Sequence, residues 1–562
     1  MKKALLIILD GFGISKKIAG NAVAAARMPF FKKLQNQNPH TFLQTHGSAS
    51  GLPENQTGAS EPGHVVLGAG RRVFQPLEKI NRAFSTDEIL QNSKFQKFLE
   101  IAKTAPRVHL IGLLSDGGVH SHISHLNKIL EILKNMNGGP QPAVKVNRAV
   151  KEEKKLSAEK LGSRIESGMT KSEIKIHAIA DGRDVSPRSI EKYLQKISQK
   201  KIGKIASVCG RFFAMDRDEN WNRTEKYFQL LANGIGTAAN LNSDFAKFSA
   251  QIQNEKIDSD YFLPPFFDEK NFAKIEKNDA VLFFNFRSDR AAQISTAFCD
   301  PDFKKFPRSR IESGMTFKKS EMKFGKKNFF IFGPFCKFAT NIFPPEKVKN
   351  NLAEVLAKNS KTQLRLAETE KFAHATFFFN SQKKEKNRGE KWILIPSKKC
   401  RSFAEFPEMS AREIAKKLRE NLSENFDFIF VNFANADLVG HSGDFAAAKK
   451  SCEILDEVLA EIIPAARAAD FQILISADHG NADEMVDSAG EIQAAHSKAA
   501  APLIFCGDEN LSKKFRENLA GRKSRGEIFG VEFFGELADV APTILKILEI
   551  KKPAEMTGAS FL

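Results

Sequence analysis

Lys3-Ala-Leu-Leu-Ile-Ile-Leu9-Asp10-Gly11 decides the fold class of this chain. A near-continuous apolar run of strand length suits a parallel strand buried on both faces, and the Asp-Gly that follows ends it. The same grammar returns twice. Phe428-Ile-Phe-Val-Asn-Phe433 leads to Asp437 and His441, and Phe471-Gln-Ile-Leu-Ile-Ser476 leads to Asp478-His479-Gly480. Open α/β sheets bind ligands beyond the carboxyl ends of their strands. The pattern therefore predicts an α/β protein whose acids and imidazoles gather at one sheet edge. Each piece alone has an ordinary reading: Asp-Gly is turn chemistry, and an Asp and a His four apart make a helix-face contact. Their joint presence in one chain, behind three strands, makes them a candidate site.

Mixed carboxylate and imidazole ligands suit zinc or manganese better than calcium or magnesium, which prefer oxygen shells. Two such ions can serve a phosphoryl transfer, one polarising a phosphoryl oxygen and the other activating a hydroxyl. The hydroxyl is Ser60, in Gly51-Leu-Pro-Glu-Asn-Gln-Thr-Gly-Ala-Ser60-Glu-Pro-Gly-His64. If Ser60 opens a helix, Pro62 is tolerated in the first turn and the helix N-terminus favours a phosphate. A plain N-cap is the alternative role for such a serine.

Longer signatures lie between these points: Gly58-Ala-Ser60-Glu-Pro-Gly-His64 with Gly68-Ala-Gly-Arg71, Ser115-Asp-Gly-Gly-Val-His120-Ser-His122, Asp181-Gly-Arg183-Asp184, Gly210-Arg211, Met215-Asp-Arg217-Asp218, Phe284-Asn-Phe-Arg287-Ser-Asp-Arg290 and Ala367-Glu-Thr-Glu-Lys371-Phe-Ala-His374. In these blocks the chain resembles the 2,3-bisphosphoglycerate-independent phosphoglycerate mutases of the alkaline phosphatase superfamily. The resemblance implies an interconversion of 3- and 2-phosphoglycerate, in glycolysis or gluconeogenesis, through a phosphoserine on Ser60, with no 2,3-bisphosphoglycerate. It implies two divalent metals, commonly manganese. Asp437, His441 and His496 would hold one; Asp10, Ser60, Asp478 and His479 would hold the other. Lys371 would neutralise the transferring phosphoryl group. His120, Arg183, Asp184, Arg211, Arg217, Arg287 and Arg290 would hold the substrate, Asp184 doubling as acid or base for the glycerate hydroxyls. That arginine set also fits a substrate with a phosphate and a carboxylate, since the guanidinium fork pairs bidentately with both. Ala59 and Pro62 stand where the family usually has Asn and Val, and no Asn-Pro follows His496.

At 562 residues the chain exceeds one core, so two domains are expected. The metal motifs occupy an N-terminal piece and a C-terminal half, with the arginine motifs between them. This places a metal-binding, phosphatase-like domain at 1–76 and 336–562 and an inserted α/β substrate domain at 77–335. Val108–Leu114 and Ile174–Ala180 read as strands of the insert. The chain carries no apolar run of the ~20 residues needed to span a bilayer, and Met1-Lys-Lys leads directly into a strand, so a cytoplasmic protein without membrane association is expected. The resemblance favours a monomer. Cys209, Cys299, Cys336, Cys400, Cys452 and Cys506 are widely spaced, which points to reduced structural thiols. The net charge of +18 permits nucleic-acid binding, but the basic residues are scattered among acids and bring no nucleic-acid motif, so none is expected.

The octapeptide Ser-Arg-Ile-Glu-Ser-Gly-Met-Thr occurs at Ser163–Thr170 and again at Ser309–Thr316. A single pair is not a solenoid period. We read it as one element inserted twice, lengthening loops around 136–173 and 303–325, which costs little closure entropy; both copies are expected to be exposed or poorly ordered. A phosphomonoesterase, a phosphopentomutase-like enzyme and an inactive relative are the alternatives on the same scaffold. The arginine-rich middle speaks against a simple phosphatase, and the complete ligand set against inactivity.

Overall fold

The computed structural model describes residues 2–136, 172–306, 328–487 and 489–562; both octapeptide copies lie outside them. The described chain forms two compact units, Met1–Glu78 with Lys347–Leu562, and Lys79–Glu346. The α/β class expected from the sequence is the one found.

The chain enters the first unit through β1 (Lys3–Leu9) and β2 (His40–Gln44). The second unit holds β3 (Arg107–Leu114), β4 (Glu173–Ala180), β5 (Lys204–Gly210), β6 (Thr237–Ala239) and β7 (Phe266–Asp268). It closes with β8 (Ala280–Phe283), β9 (Phe329–Ile331) and β10 (Thr340–Asn341). Back in the first unit come β11 (Gln363–Glu368), β12 (Glu390–Ile395), β13 (Phe428–Phe433), β14 (Phe471–Ser476) and β15 (Ala501–Cys506). The hairpin β16 (Gly526–Ile528) and β17 (Val531–Phe533) and the short β18 (Gly535–Glu536) follow. β10 pairs with β9 in the second sheet, and the chain stays in that unit until Glu346.

The first unit's sheet has the order β12-β11-β13-β1-β14-β15-β2-β18. β12 through β14 are parallel, whereas β15 runs against both β14 and β2. β1 pairs with β13 from Ala4↔Phe428 to Leu9↔Phe433 and with β14 from Lys3↔Phe471 to Ile8↔Ser476. Three apolar strands thus end level. Every residue of β1 from Ala4 to Leu9 is buried, so the strand is covered on both faces. The second unit's sheet, β10-β9-β8-β3-β4-β5-β7-β6, is parallel from β10 to β5, and β7 runs against β5. Across β3, β4 and β5 a row of polar side chains replaces the apolar core. His109 Nε2 lies 3.1 Å from Asp279, His109 Nδ1 lies 2.8 Å from His177 Nε2, and His177 Nδ1 lies 2.8 Å from Ser207 Oγ. All four are fully buried, so each imidazole finds in its neighbour the partner that water would otherwise provide.

Candidate active site

Asp10 stands at the carboxyl end of β1, Asp478 beyond β14, and Asp437 on the helix Asn435–Gly440 that follows β13. Lys371 stands on the helix Thr369–Ala373 that leaves β11. These four parallel strands are neighbours, so one sheet edge collects three acids and a lysine from distant parts of the chain. β15 is antiparallel and starts at that same edge, which brings in His496 from the segment before it. Gly11 makes the crossing close. Its φ is +73°, and a Cβ there would lie 2.5 Å from the Asp437 Cα, so only glycine lets the Asp437 backbone approach β1.

Ser60 is the first residue of the helix Ser60–Ala69, with Pro62 tolerated in its first turn. The N-cap position belongs to Ala59, which provides no side-chain cap, so the Ser60 hydroxyl is free for other partners. Lys371 Nζ donates to it at 2.8 Å, and it lies 3.2 Å from Asp10 Oδ1 and 2.8 Å from His479 Nε2. Lys371 Nζ also lies 2.6 Å from Asp10 Oδ1 and 2.6 Å from Asp437 Oδ2, buried. Burial lowers its pKa, but the surrounding acids Asp10, Asp437 and Asp478 outweigh this and raise it, so the amine is charged. Burial pushes the Asp437 carboxyl up, yet Lys371 and the adjoining His441 and His496 rings hold it well below the usual range. Asp478 is likewise held low against burial, by His479 and His64. Asp10 goes the other way, raised by burial and by the charge of Asp478.

His441 and His496 carry the sharpest evidence for a cation. His441 Nδ1 lies 2.6 Å from the Ala494 carbonyl and His496 Nδ1 2.9 Å from the Gly58 carbonyl. A carbonyl only accepts, so both Nδ1 atoms carry hydrogen, and in their neutral form both rings present bare Nε2 lone pairs. Those two Nε2 atoms face each other at 3.0 Å, and Asp437 Oδ1 lies 3.3 and 3.2 Å from them. Two lone pairs and a carboxylate oxygen converging on one point require a positive charge there. Backbone carbonyls orienting the outer nitrogens are the usual support of metal-ligating imidazoles. The residues therefore fit a divalent metal. Two further groups have ligand atoms within 4.8 Å of one another: Asp10, Asp437 and His479, and Asp10, His64 and Asp478. Asp478 Oδ2 is buried, 3.3 Å from His64 Nδ1 and 3.4 Å from His479 Nε2, which again suits a cation.

His64, Asn432 and Asn481 were missed by sequence reasoning. Asn432 Nδ2 donates to Asp10 Oδ2 at 2.9 Å and lies 3.0 Å from His64 Nε2, and His64 Nδ1 lies 2.9 Å from the Ser60 carbonyl. Asn481 Nδ2 donates to Asp437 Oδ1 at 3.0 Å. These residues fix which carboxylate oxygen faces inward. Asn432 falls inside the β13 run that pointed to the site, so a polar residue in an otherwise apolar strand was the available signal.

In the second unit the expected arginines also stand at strand ends. His120 follows β3, Arg183 and Asp184 follow β4, Arg211 follows β5, and Arg287 and Arg290 follow β8, four adjacent parallel strands. Buried Arg211 Nη1 bridges Asp181 and Asp184 at 2.6 Å each. Asp289, not singled out from the sequence, receives Arg217 Nη1 at 2.9 Å and Arg287 Nε at 3.2 Å. Arg290 Nη1 donates to the Met215 carbonyl at 3.3 Å. Burial and the nearby guanidinium groups of Arg217, Arg211 and Arg183 lower the Arg290 pKa, the signature of a cationic cluster that an anion would relieve. Arg183 is exposed. His120 lies 4.0 Å from both Asp184 and Asp289. Burial and Arg211 push its pKa down to about 4, so it is neutral near pH 7.

Residues 2–552 match the Metalloenzyme superfamily model. A 2,3-bisphosphoglycerate-independent phosphoglycerate mutase of Clostridium botulinum (strain Langeland) is 38% identical over all of this chain and 99% of its own length. The protein of that name from Pseudomonas entomophila is also 38% identical, over 100% and 98%. This chain belongs to that family. The Leishmania mexicana phosphoglycerate mutase structure, solved at low cobalt concentration, matches 99% of this chain and 97% of its own, with 26% identity and a TM-score of 0.55. Family membership covers the whole chain, so both the acid-rich edge of the first unit and the arginine cluster of the second lie within the shared fold.

Proposed function

We propose that this enzyme interconverts 3-phosphoglycerate and 2-phosphoglycerate through a phosphoserine on Ser60, at a centre of two divalent ions, manganese the foremost candidate. The convergence of Lys371, Asp10 and His479 on the Ser60 hydroxyl, beside two bare imidazole lone pairs, carries the reading. Asp437, His441 and His496 would hold one ion, and Asp10, Ser60, Asp478 and His479 the other. When bound, such ions polarise phosphoryl oxygens and lower the pKa of a hydroxyl.

The protein's own residues do the rest. Lys371 donates to Ser60 Oγ, so the hydroxyl hydrogen turns to Asp10 or His479 and a lone pair is left for phosphorus. The Ser60 O–P bond forms as the O–P bond to the glycerate breaks, and Lys371 offsets the negative charge that gathers. Reversal onto the other hydroxyl completes the isomerisation. We assign retention of the glycerate to Arg183, Arg211, Arg217, Arg287 and Arg290, whose forks match a carboxylate. Asp184, with neutral His120 beside it, would exchange the hydroxyl proton. A hydrolase has no use for such retention, because it releases the alcohol.

The test is a coupled assay of metal-stripped protein given back manganese, converting 3- to 2-phosphoglycerate without 2,3-bisphosphoglycerate, with phosphate release read in parallel. Manganese-dependent isomerisation that disappears in Ser60→Ala is expected. Phosphate release without isomerisation would overturn the reading in favour of a phosphomonoesterase, and activity retained in Ser60→Ala would remove the nucleophile.

A further inference from the structure

Asp483 follows Asp478-His479-Gly480 in the segment beyond β14, is fully buried, and belongs to none of the ligand groups described above. Its carboxyl lies where three ligand-bearing segments meet: Asp10-Gly-Phe-Gly13, Asp478-His479-Gly480 and His496-Ser497. The Ser497 hydroxyl donates to the carboxyl oxygens, 3.0 Å from Oδ1 and 2.8 Å from Oδ2. Oδ1 presses against two glycines. A Cβ on Gly13 would lie 2.1 Å from it, and a Cβ on Gly480 2.4 Å. Neither glycine has a positive φ, so the room taken by Asp483, and not the backbone conformation, bars a larger residue at both positions.

Further bonds tie buried Ser497 into the same junction. Its N–H donates to the Gly480 carbonyl at 2.8 Å, and its hydroxyl accepts from the Ala499 N–H at 3.1 Å. The Ala499 carbonyl in turn accepts from Thr45 Oγ1 at 2.8 Å. Among the described residues, no metal-ligand side chain hydrogen-bonds to Asp483, so whatever it does at the centre passes through the backbone.

We propose that Asp483 is a positioning residue for the metal centre, a strut joined to Ser497 that sets the distance from His496 to the segments of Asp10 and His479. The inference rests on the two-ion centre of the function proposed above and adds to it a residue that holds no ion. A side chain needed only to fill this space would be apolar, since burying a carboxyl costs free energy that burying an aliphatic group does not. A carboxyl instead offers two acceptor oxygens in one plane, and a hydroxyl held between them is fixed in direction as well as in distance. Ser497 is the residue after His496, and His496 Nδ1 is held from the other side by the Gly58 carbonyl at 2.9 Å. With the backbone fixed at Ser497 and the ring fixed at Nδ1, Nε2 has one direction left to point, toward Asp437 and His441. The same carboxyl abuts Gly480 and Gly13, so one side chain registers a ligand of the first ion against the ligands of the second.

The test is manganese binding to the metal-stripped full chain, followed by titration calorimetry. Asp483→Ala is expected to weaken binding by about 10-fold or more, as loss of the groups that orient metal ligands does. Ser497→Ala should bring the same loss, and the double variant should bind no more weakly than either single one, because the two side chains act as a unit. Asp483→Asn keeps the planar fork, with an acceptor and a donor that a hydroxyl can still pair with, and should stay close to wild type. Asp456→Ala is the structural control. Asp456 accepts from the N–H groups of Phe30 at 3.1 Å and Phe31 at 2.6 Å at the start of the helix Pro29–Gln37, so its loss should lower the melting temperature and leave manganese affinity unchanged. Should Asp483→Ala not fold, Ser497→Ala, which removes a single oxygen, decides alone. Wild-type affinity in Asp483→Ala or Ser497→Ala, losses that add in the double variant, or an equal loss in Asp456→Ala overturns the proposal. Binding is read without substrate, so a failure of the isomerase reading is seen separately, in the coupled assay.

Discussion

Replacing Lys371 by Met removes the only ammonium from a pocket that holds Asp10, Asp437 and Asp478, and its cost can be worked from the contacts. Nζ lies 2.6 Å from each of two buried carboxylates. Breaking a buried pair by deleting one partner costs about 3–5 kcal/mol, because the charges left behind are uncompensated. The metal-free variant has one escape, protonation of Asp10, whose pKa burial and Asp478 already raise. The sign follows. Folded Asp10 then binds a proton that the unfolded chain, with a carboxylate pKa of about 3.9, releases. Stability of the variant falls as pH rises from about 4 through the raised value. The deficit against wild type is therefore larger at pH 8 than at pH 5. The chain has two tryptophans, Trp221 in the second unit and Trp392 in the first, so a Trp221→Phe background leaves Trp392 to report on the unit concerned. Urea unfolding of metal-stripped protein at both pH values gives the numbers. Manganese should stabilise the variant more than wild type, since added cations substitute for the lost one. A deficit under about 1 kcal/mol at pH 8, or a larger one at pH 5, would refute the reasoning.

Other perturbations have equally definite outcomes. Gly11→Ala pushes a methyl to 2.5 Å from the Asp437 Cα at φ +73°, and should cost about 1–3 kcal/mol with a visible fall in the calorimetric melting temperature; an unchanged melting point would show that the crossing is slack. His441→Ala should weaken manganese binding by at least about 10-fold by titration calorimetry without unfolding the protein, and unaltered binding would remove His441 from the ligand set. Asp279→Asn bears on the second unit's buried row. Burial raises the Asp279 pKa, but His109, the Glu276 N–H and Arg107 bring it below the usual value. Its stabilisation is present above the unfolded pKa and lost as pH falls through the folded one. The variant should lose about 2 kcal/mol at pH 7 and much less near pH 3, read by urea midpoints; an equal loss at both would sink the assignment.

How much was legible follows from which forces are local. Lys3–Leu9, Phe428–Phe433 and Phe471–Ser476 are strands with the limits their apolar runs set, because a run buried on both faces announces itself without knowledge of its neighbours. Ser60 opens a helix, the condition on which the sequence makes its N-terminus a phosphate site, and is not the N-cap that is the alternative. The partners of Lys371 were not readable in this way: Asp10 is 361 residues away and Asp437 is 66, and only the strand order β11-β13-β1 joins them. His64, Asn432 and Asn481 escaped for the same reason, since a polar side chain shows no periodicity and its role depends on what the fold sets opposite it. The histidine row of β3 and β4 escaped because His109 and His177 sit among apolar neighbours, and only the pairing of adjacent strands shows that they satisfy each other.

The charge balance of the first unit's pocket completes the argument for its chemistry. Asp10, Asp437 and Asp478 are all buried, against the single ammonium of Lys371, which leaves three carboxylates to one cation. The imidazoles offset only part of the difference: burial lowers the pKa of His479, whereas Asp437 raises that of His441 and, against burial, that of His496, and Asp478 raises that of His64 against burial. An uncompensated buried charge costs several kcal/mol, and a pocket with two of them would protonate or open. Divalent ions bound among the same side chains cancel the excess and engage every bare lone pair. A substrate phosphoryl group entering there would add negative charge to a pocket that the protein alone leaves negative. On the function proposed above, divalent ions are therefore expected to strengthen phosphoglycerate binding at this edge of the sheet, and equal substrate affinity in metal-stripped and manganese-loaded protein would refute it.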